Sequence, residues 1–270
     1  MLLFERFKQG FGRISSREWI LLSLETIGVL AGILIAFALN EWAQQRQASA
    51  RQLELNERVF EEARLNLSLM RAGREQMQEA TARERAFATA LVHDGTCPPE
   101  ADWDAVVTVN MFPAIVVQTA AYEELLGSGG LSKIEDPDAR EAVATFHTIL
   151  DWQRRQNDGF RAAKKEIIAV DDPRVTVGFD PEADEPETFR YDRPALCADR
   201  AFRARTADRV RDHALTVDSR RELTEYAIKA CVALAEALGR ECIPQFGGPL
   251  QGGDAALALE QIQAHRKGER

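Results

Sequence analysis

The strongest pattern in the chain is an apolar run near its start. From Trp19 to Leu39 it reads WILLSLETIGVLAGILIAFAL, broken only by Ser23, Glu25 and Thr26. A bilayer core takes roughly 20 apolar residues as helix, so the run predicts one transmembrane helix. A cleaved signal peptide has a shorter apolar core, about 7 to 15 residues, that ends at a small-residue site. Ala36, Phe37 and Ala38 imitate such a site, but the run is longer and closes on Asn40-Glu41-Trp42. Trp19 and Trp42 bracket it, as tryptophans do at membrane interfaces.

After the span the apolar positions take a seven-residue period. No glycine occurs between the span and Gly73 and no proline before Pro98, so nothing breaks a helix until about His93. Leu53, Phe60 and Leu67 recur at seven, with Asn56, Ala63, Met70 and Met77 offset by three, a coiled-coil-like seam interrupted by Asn56, Arg74 and Glu84. A second break-free stretch, from about Ala198 to Leu238, repeats at Val210, Val217, Thr224, Cys231 and Leu238, with His213, Ala227 and Leu234 beside them. Two such stripes are read as two long helices packed together.

Shorter elements fill the interval. Phe112 to Leu126 predicts a helix stopped by Gly127-Ser128-Gly129-Gly130. Asp136-Pro137 gives an N-cap followed by proline at the first helical position. Val175 to Phe179 reads as one short strand inside residues 171–196, a segment with eight acids, three arginines and four prolines that predicts a solvated acidic loop. Residues 244–254 are glycine-rich and 255–265 suit a short helix. The expected fold is all-α: one amino-terminal transmembrane helix continuous with a long helix, packed with a long carboxy-terminal helix and shorter helices in an elongated bundle. The corresponding divisions are an amino-terminal segment 1–18, a span 19–39, a helical bundle 40–243 and a tail 244–270.

Charge adds direction to this picture. The 270 residues carry a formal charge of -9; residues 1–18 contribute +2 and Glu25 contributes -1, which leaves -10 after the span. Such a domain is no basic nucleic-acid binder. Arg6, Lys8, Arg13 and Arg17 precede the span, whereas Arg46 and Arg51 follow it closely and Arg58 less so. The bias predicts an inside amino terminus and an exported domain, periplasmic if the source is bacterial. Within the span Gly28 and Gly32 form a G-x-x-x-G stripe extended by Ala36, with Glu25 and Asn40 one turn beyond its ends. Small residues let another helix approach closely, and an intramembrane carboxyl normally faces a partner or a wet cavity.

Candidate chemistry is sparse. No G-x-x-x-x-G-K-[ST], G-x-S-x-G or H-E-x-x-H occurs. His147 has Asp151 one turn on and Glu141 nearby, without the third orienting group that a nucleophile and base need. Arg154, Arg155, Arg161, Lys164 and Lys165 read as a solvated helix face. No metal or other cofactor is expected, and the chain is read as non-enzymatic. Cys97 and Cys197 fall at matching ends of the two long helices and predict a disulfide, given export to an oxidising compartment. Cys231 reads as a core thiol on the seam and Cys242 as a free one.

Two stretches resemble a family of bacterial single-pass membrane proteins of unknown function. One runs from Glu25 through Gly32-Ile33-Leu34-Ile35-Ala36 to Asn40 and Trp42. The other is TAAYEELLGSGGLSKI, in which Thr119, Tyr122, Leu125, Ser128, Gly129, Leu131 and Ile134 fit the family's T-x-x-[FY]-x-x-L-x-x-S-G-x-L-x-x-I. Leu24 stands where the family usually has glycine. The resemblance implies a helical exported domain behind one anchor and supplies no catalytic residue. The expected role is an interaction or accessory subunit in the bilayer, as a homo-oligomer or in a larger membrane complex. The alternative is a periplasmic ligand-sensing domain that signals through a partner, and a third reading, ranked behind it, is an enzyme of unrecognised type.

Overall fold

The computed structural model describes residues 16–163, 166–169, 171–179, 181–182 and 187–268. Arg6, Lys8, Arg13, Lys164 and Lys165, together with the side chains of Arg17 and Trp19, lie outside the described set. Helix α1, Ser16–Ala88, runs 73 residues and is followed by a wider helical turn, Thr89–His93. Then come α2 (Ala105–Thr108), α3 (Ala120–Gly127), α4 (Pro137–Ala162), β1 (Val175–Phe179), β2 (Glu187–Tyr191), α5 (Arg193–Ala198), α6 (Arg200–Ala237) and α7 (Gly252–Gly268). The described residues are all-α apart from one antiparallel hairpin, β1 with β2, in which Val177 faces Phe189.

Internal contacts divide the chain into Met1–Glu54 and Leu55–Arg270. In the first unit α1 carries a window apolar enough to cross a membrane. Its large apolar side chains are exposed, from 47% at Ile33 to 67% at Ile20, Leu24 and Leu34. Leu53, placed on the seam by its spacing, belongs to this unit and is exposed as well.

The second unit is a helical bundle with two apolar clusters. One joins Phe60, Leu67 and Met70 of α1 to Leu125, to Val143 and Leu150 of α4, and to the end of α6 from Leu223 to Ala235. The other joins Phe87 and Leu91 to Trp103, Val106, Ile167, Leu196 and Phe202. Local signals fix the helix ends. Asp136 accepts a hydrogen bond from the Ala139 amide (2.8 Å), with Pro137 at the first position where its missing N–H costs nothing. At the end of α6, Gly239 takes φ 65°, and the Arg240 and Gly239 amides donate to Ala235 and Glu236 carbonyls. That pattern closes the helix on itself and suits glycine best.

Three expectations need correction. Residues 112–119 are not helical: Pro113 disfavours helix at Phe112, and side chains of α1, α4 and α6 bond the backbone of Pro113, Val117 and Gln118 in place of helical partners. The strand at Val175–Phe179 has a partner, Glu187–Tyr191, so the acidic segment folds back on itself and then starts α5. Cys231 and Cys242 are no free thiols: they are bonded to each other, with Cα atoms 5.6 Å apart, and this ties the end of α6 to the segment after it. The helix turn ending at Gly239 aims the chain back toward Cys231, which spacing along a helix stripe does not reveal. The tail is also more than a tail. Arg240 pairs with Glu57, Arg71 donates to the Gly248 carbonyl, and Arg74 grips Asp254 with two bonds (2.9 and 2.8 Å), so residues 240–254 run along α1.

Candidate functional site

The family-like turn can be built up from α1. Asn66 lies on the core side of α1 and pairs with the Gln118 backbone in both senses, its amide donating to the carbonyl (2.7 Å) and its oxygen accepting from the N–H (2.8 Å). One turn earlier, buried Glu62 accepts from the Ala121 and Tyr122 amides (2.8 and 3.2 Å), capping the start of α3 with a negative charge where the helix dipole favours one. Burial is the largest influence on Glu62 and raises its pKa, against the lowering effect of these two amides. Other side chains serve the irregular segment. Arg220 of α6 and Asn157 of α4 donate to the Pro113 carbonyl (2.6 and 3.2 Å), and Arg154 to that of Val117 (3.4 Å). A backbone without helix or sheet bonds has to be satisfied this way when it packs inside a bundle.

Within the turn the motif residues have structural duties. Thr119 precedes α3 and its hydroxyl donates to Glu123 (2.7 Å). Tyr122 stacks on His147, ring centroids 3.5 Å apart and nearly parallel. Leu125 and Ile134 are buried, and Leu131 packs at the edge of the same cluster. Gly129 takes φ 66°, with the Gly130 amide donating to Leu125 (2.8 Å), the same closure as at Gly239. The Ser128 hydroxyl donates to the Leu125 carbonyl (3.1 Å). Ser128 and Gly129 are themselves exposed, so the corner does not pack on the long helices; its flanking apolar residues do.

Between the two apolar clusters lies a polar layer, of which the seven-residue pattern marks only Glu84, as a seam interruption, and His213, as a seam position. Glu84 of α1 is fully buried, and His213 of α6 is 3% exposed at the side chain, with Nδ1 2.8 Å from Glu84 Oε2. They are close enough for an ion pair, yet neither makes an aligned hydrogen bond. Arg209 lies over the Phe112 ring (4.2 Å), and Phe112 meets His213 edge-on (4.3 Å). Thr81, Gln153 and Asn157 also carry buried atoms without a partner. The Arg220 guanidinium is buried as well, and desolvation pulls its pKa down to about 10. A cavity of about 10 Å³ lined by Gln153, Asn157, Thr216 and Arg220 has room for about one water molecule, not for a substrate. Within the layer the Glu84–His213 contact joins α1 to α6.

The remaining predicted residues fall as follows. Glu25, Gly28, Gly32, Ala36 and Asn40 are all exposed on α1, and a Cβ added at Gly28 or Gly32 would meet open space. Trp42 is exposed, with the Arg46 guanidinium 5.5 Å from its ring centre. Cys97 and Cys197 are bonded, their Cα atoms 5.5 Å apart across 100 residues. His147 is buried rather than presented to solvent; burial first, then Arg154, pushes its pKa down to about 4, so it is neutral near pH 7. Among the described residues no cluster of three or more histidine, cysteine or acidic side chains is arranged to hold a metal.

The chain matches no protein-family model, no curated protein and no solved structure.

Proposed function

We propose that this protein is a non-enzymatic, single-pass inner-membrane subunit that associates with a copy of itself or with a larger membrane complex. Its amino terminus is cytoplasmic and its helical domain is exported. The observation that carries this reading is the first unit of α1, whose apolar side chains are exposed along the whole described run from Ile20 to Leu39. Burying that surface in lipid is its ordinary use. On that helix Glu25, Gly28, Gly32, Ala36 and Asn40 recur at three- and four-residue spacing on one side, the pattern of a helix–helix contact in a bilayer. The two disulfides, one of them spanning 100 residues, suit an oxidising compartment and so agree with the Lys/Arg bias on orientation. The family resemblance of the anchor and of the turn supports the same reading.

Crosslinking in native membranes followed by purification tests it. The wild-type chain is expected to bring down a stoichiometric partner or a second copy, and Glu25→Gln and Gly32→Leu are expected to lose it. Unchanged assembly in both variants overturns the stripe as the contact.

A further inference from the structure

A second feature, independent of membrane association, lies at the hairpin. Alternation along β1 and β2 puts Val175, Val177 and Phe179 on one face with Phe189 and Tyr191, and Thr176, Thr188 and Arg190 on the other. The apolar face does not close onto the bundle. It stands across a cavity of about 310 Å³ whose walls include Val106, Met111, Ile168, Val177, Phe189 and Tyr191. That volume is in the range of small-molecule sites, which start at about 300 Å³. Several of these side chains remain open to water, Met111 at 58%, Val177 at 48% and Phe189 at 38%. The floor is firm: Tyr191 packs on Trp103 (5.1 Å), which is itself 3% exposed and stacked on Phe202.

Charge selects the occupant. The described parts of the chain segments that form the walls are acidic: residues 100–111 hold three acids and no base, and the described residues of 166–192 hold six acids against two arginines. Arg174, one of those two, is already engaged by Asp172 and Asp199. A field of this sign repels anionic lipid headgroups, fatty carboxylates and the same face of a second copy. It attracts a cation. Phe189 and Tyr191 lie with ring planes 13° apart and centroids 6.4 Å apart on one wall, and the negative faces of such rings favour an organic cation beyond the contact area they offer. The Tyr191 hydroxyl keeps its proton, since burial, aided by Asp104, pushes its pKa up to about 12. We propose that the cleft between the hairpin and the 106–111 segment binds a small hydrophobic organic cation, the apolar part against Val106, Val177 and Met111 and the charge near the Phe189 and Tyr191 rings.

Three isosteres provide the test: 4-phenylbutylamine, 4-phenylbutanol and 4-phenylbutyrate, titrated by calorimetry against the full-length chain in nanodiscs, with empty nanodiscs as background. The amine is expected to bind saturably and about tenfold or more tighter than the carboxylate, with an affinity that weakens as salt rises. Ala169→Phe fills the exposed mouth of the cavity and Val177→Lys places a positive charge in it. Both are expected to abolish amine binding while leaving the melting temperature within a few degrees of wild type. Equal binding of all three compounds, amine binding that survives both variants, or no saturable binding overturns the proposal. So does a concentration-dependent dimer that Val177→Lys dissolves, which would assign the face to a second copy.

Discussion

His147 illustrates how a side chain that looks like chemistry becomes part of the packing. It sits on α4 beside acids and bases, but stacking on Tyr122 and contact with Phe146 take it out of water. A free histidine titrates near 6.5, whereas this one is held near 4. Between those values the unfolded chain binds a proton that the folded domain refuses, so stability falls as pH drops from about 6.5 to about 4. The full effect is about 3 kcal/mol. Buried Glu62 works in the opposite sense, because its raised pKa favours the folded state when protonated. Urea titrations between pH 4 and 7 should therefore show His147→Gln losing acid-side slope relative to wild type. Identical slopes would mean that His147 is not held neutral by the fold.

Among elements, the pairing of α1 with α6 is decided by polar residues as much as by apolar ones. Phe60, Leu67, Met70 and Met77 on the α1 seam are buried, as their seven-residue spacing suggests. So are Asn66, Thr81 and Glu84, which that spacing treats as breaks or leaves out. The partners of Asn66 and Glu84, Gln118 and His213, lie 50 to 130 residues away in sequence, and no local pattern can announce them. The helix caps at Asp136 and Gly129 were legible because they involve neighbours within three or four residues. The extended path of residues 112–119 was not, because it depends on Asn66, Arg154, Asn157 and Arg220 from three helices. The second strand was missed for a similar reason: Glu187 to Tyr191 alternates, but acids and prolines around it carry the stronger loop signal. The Glu84–His213 pair makes this dependence measurable. Removing one buried partner strands the other, at about 3 to 5 kcal/mol, while replacing both by apolar residues is often neutral or better. Denaturation midpoints are expected to fall in Glu84→Leu and in His213→Leu and to recover in the double variant. Additive losses would show that the two side chains are not coupled.

For the whole molecule, the two disulfides are the principal constraint on the unfolded chain. Closing about 100 residues between Cys97 and Cys197 stabilises by roughly 4 to 5 kcal/mol in the loop-entropy model, and the 11-residue separation of Cys231 and Cys242 by about 3. Denatured, unreduced protein from an oxidising compartment is expected to show no maleimide-reactive thiol, and reduction should lower the melting temperature. Four reactive thiols before reduction would contradict both the bridges and the exported orientation drawn from them. The loss on paired Cys97→Ser and Cys197→Ser substitution should exceed that on Cys231→Ser with Cys242→Ser, since the longer loop gains more freedom.

The strap along α1 also bears on the order of events during synthesis. Glu57 waits 183 residues for Arg240, and Arg74 waits 180 for Asp254. Contacts of such wide separation form late and slowly. The apolar side of α1 that faces α6 and residues 240–254 is therefore synthesised well before its cover exists. On the proposed exported orientation, the uncovered side of α1 would need protection, by a holding factor or by delayed release, until residues 240–254 arrive.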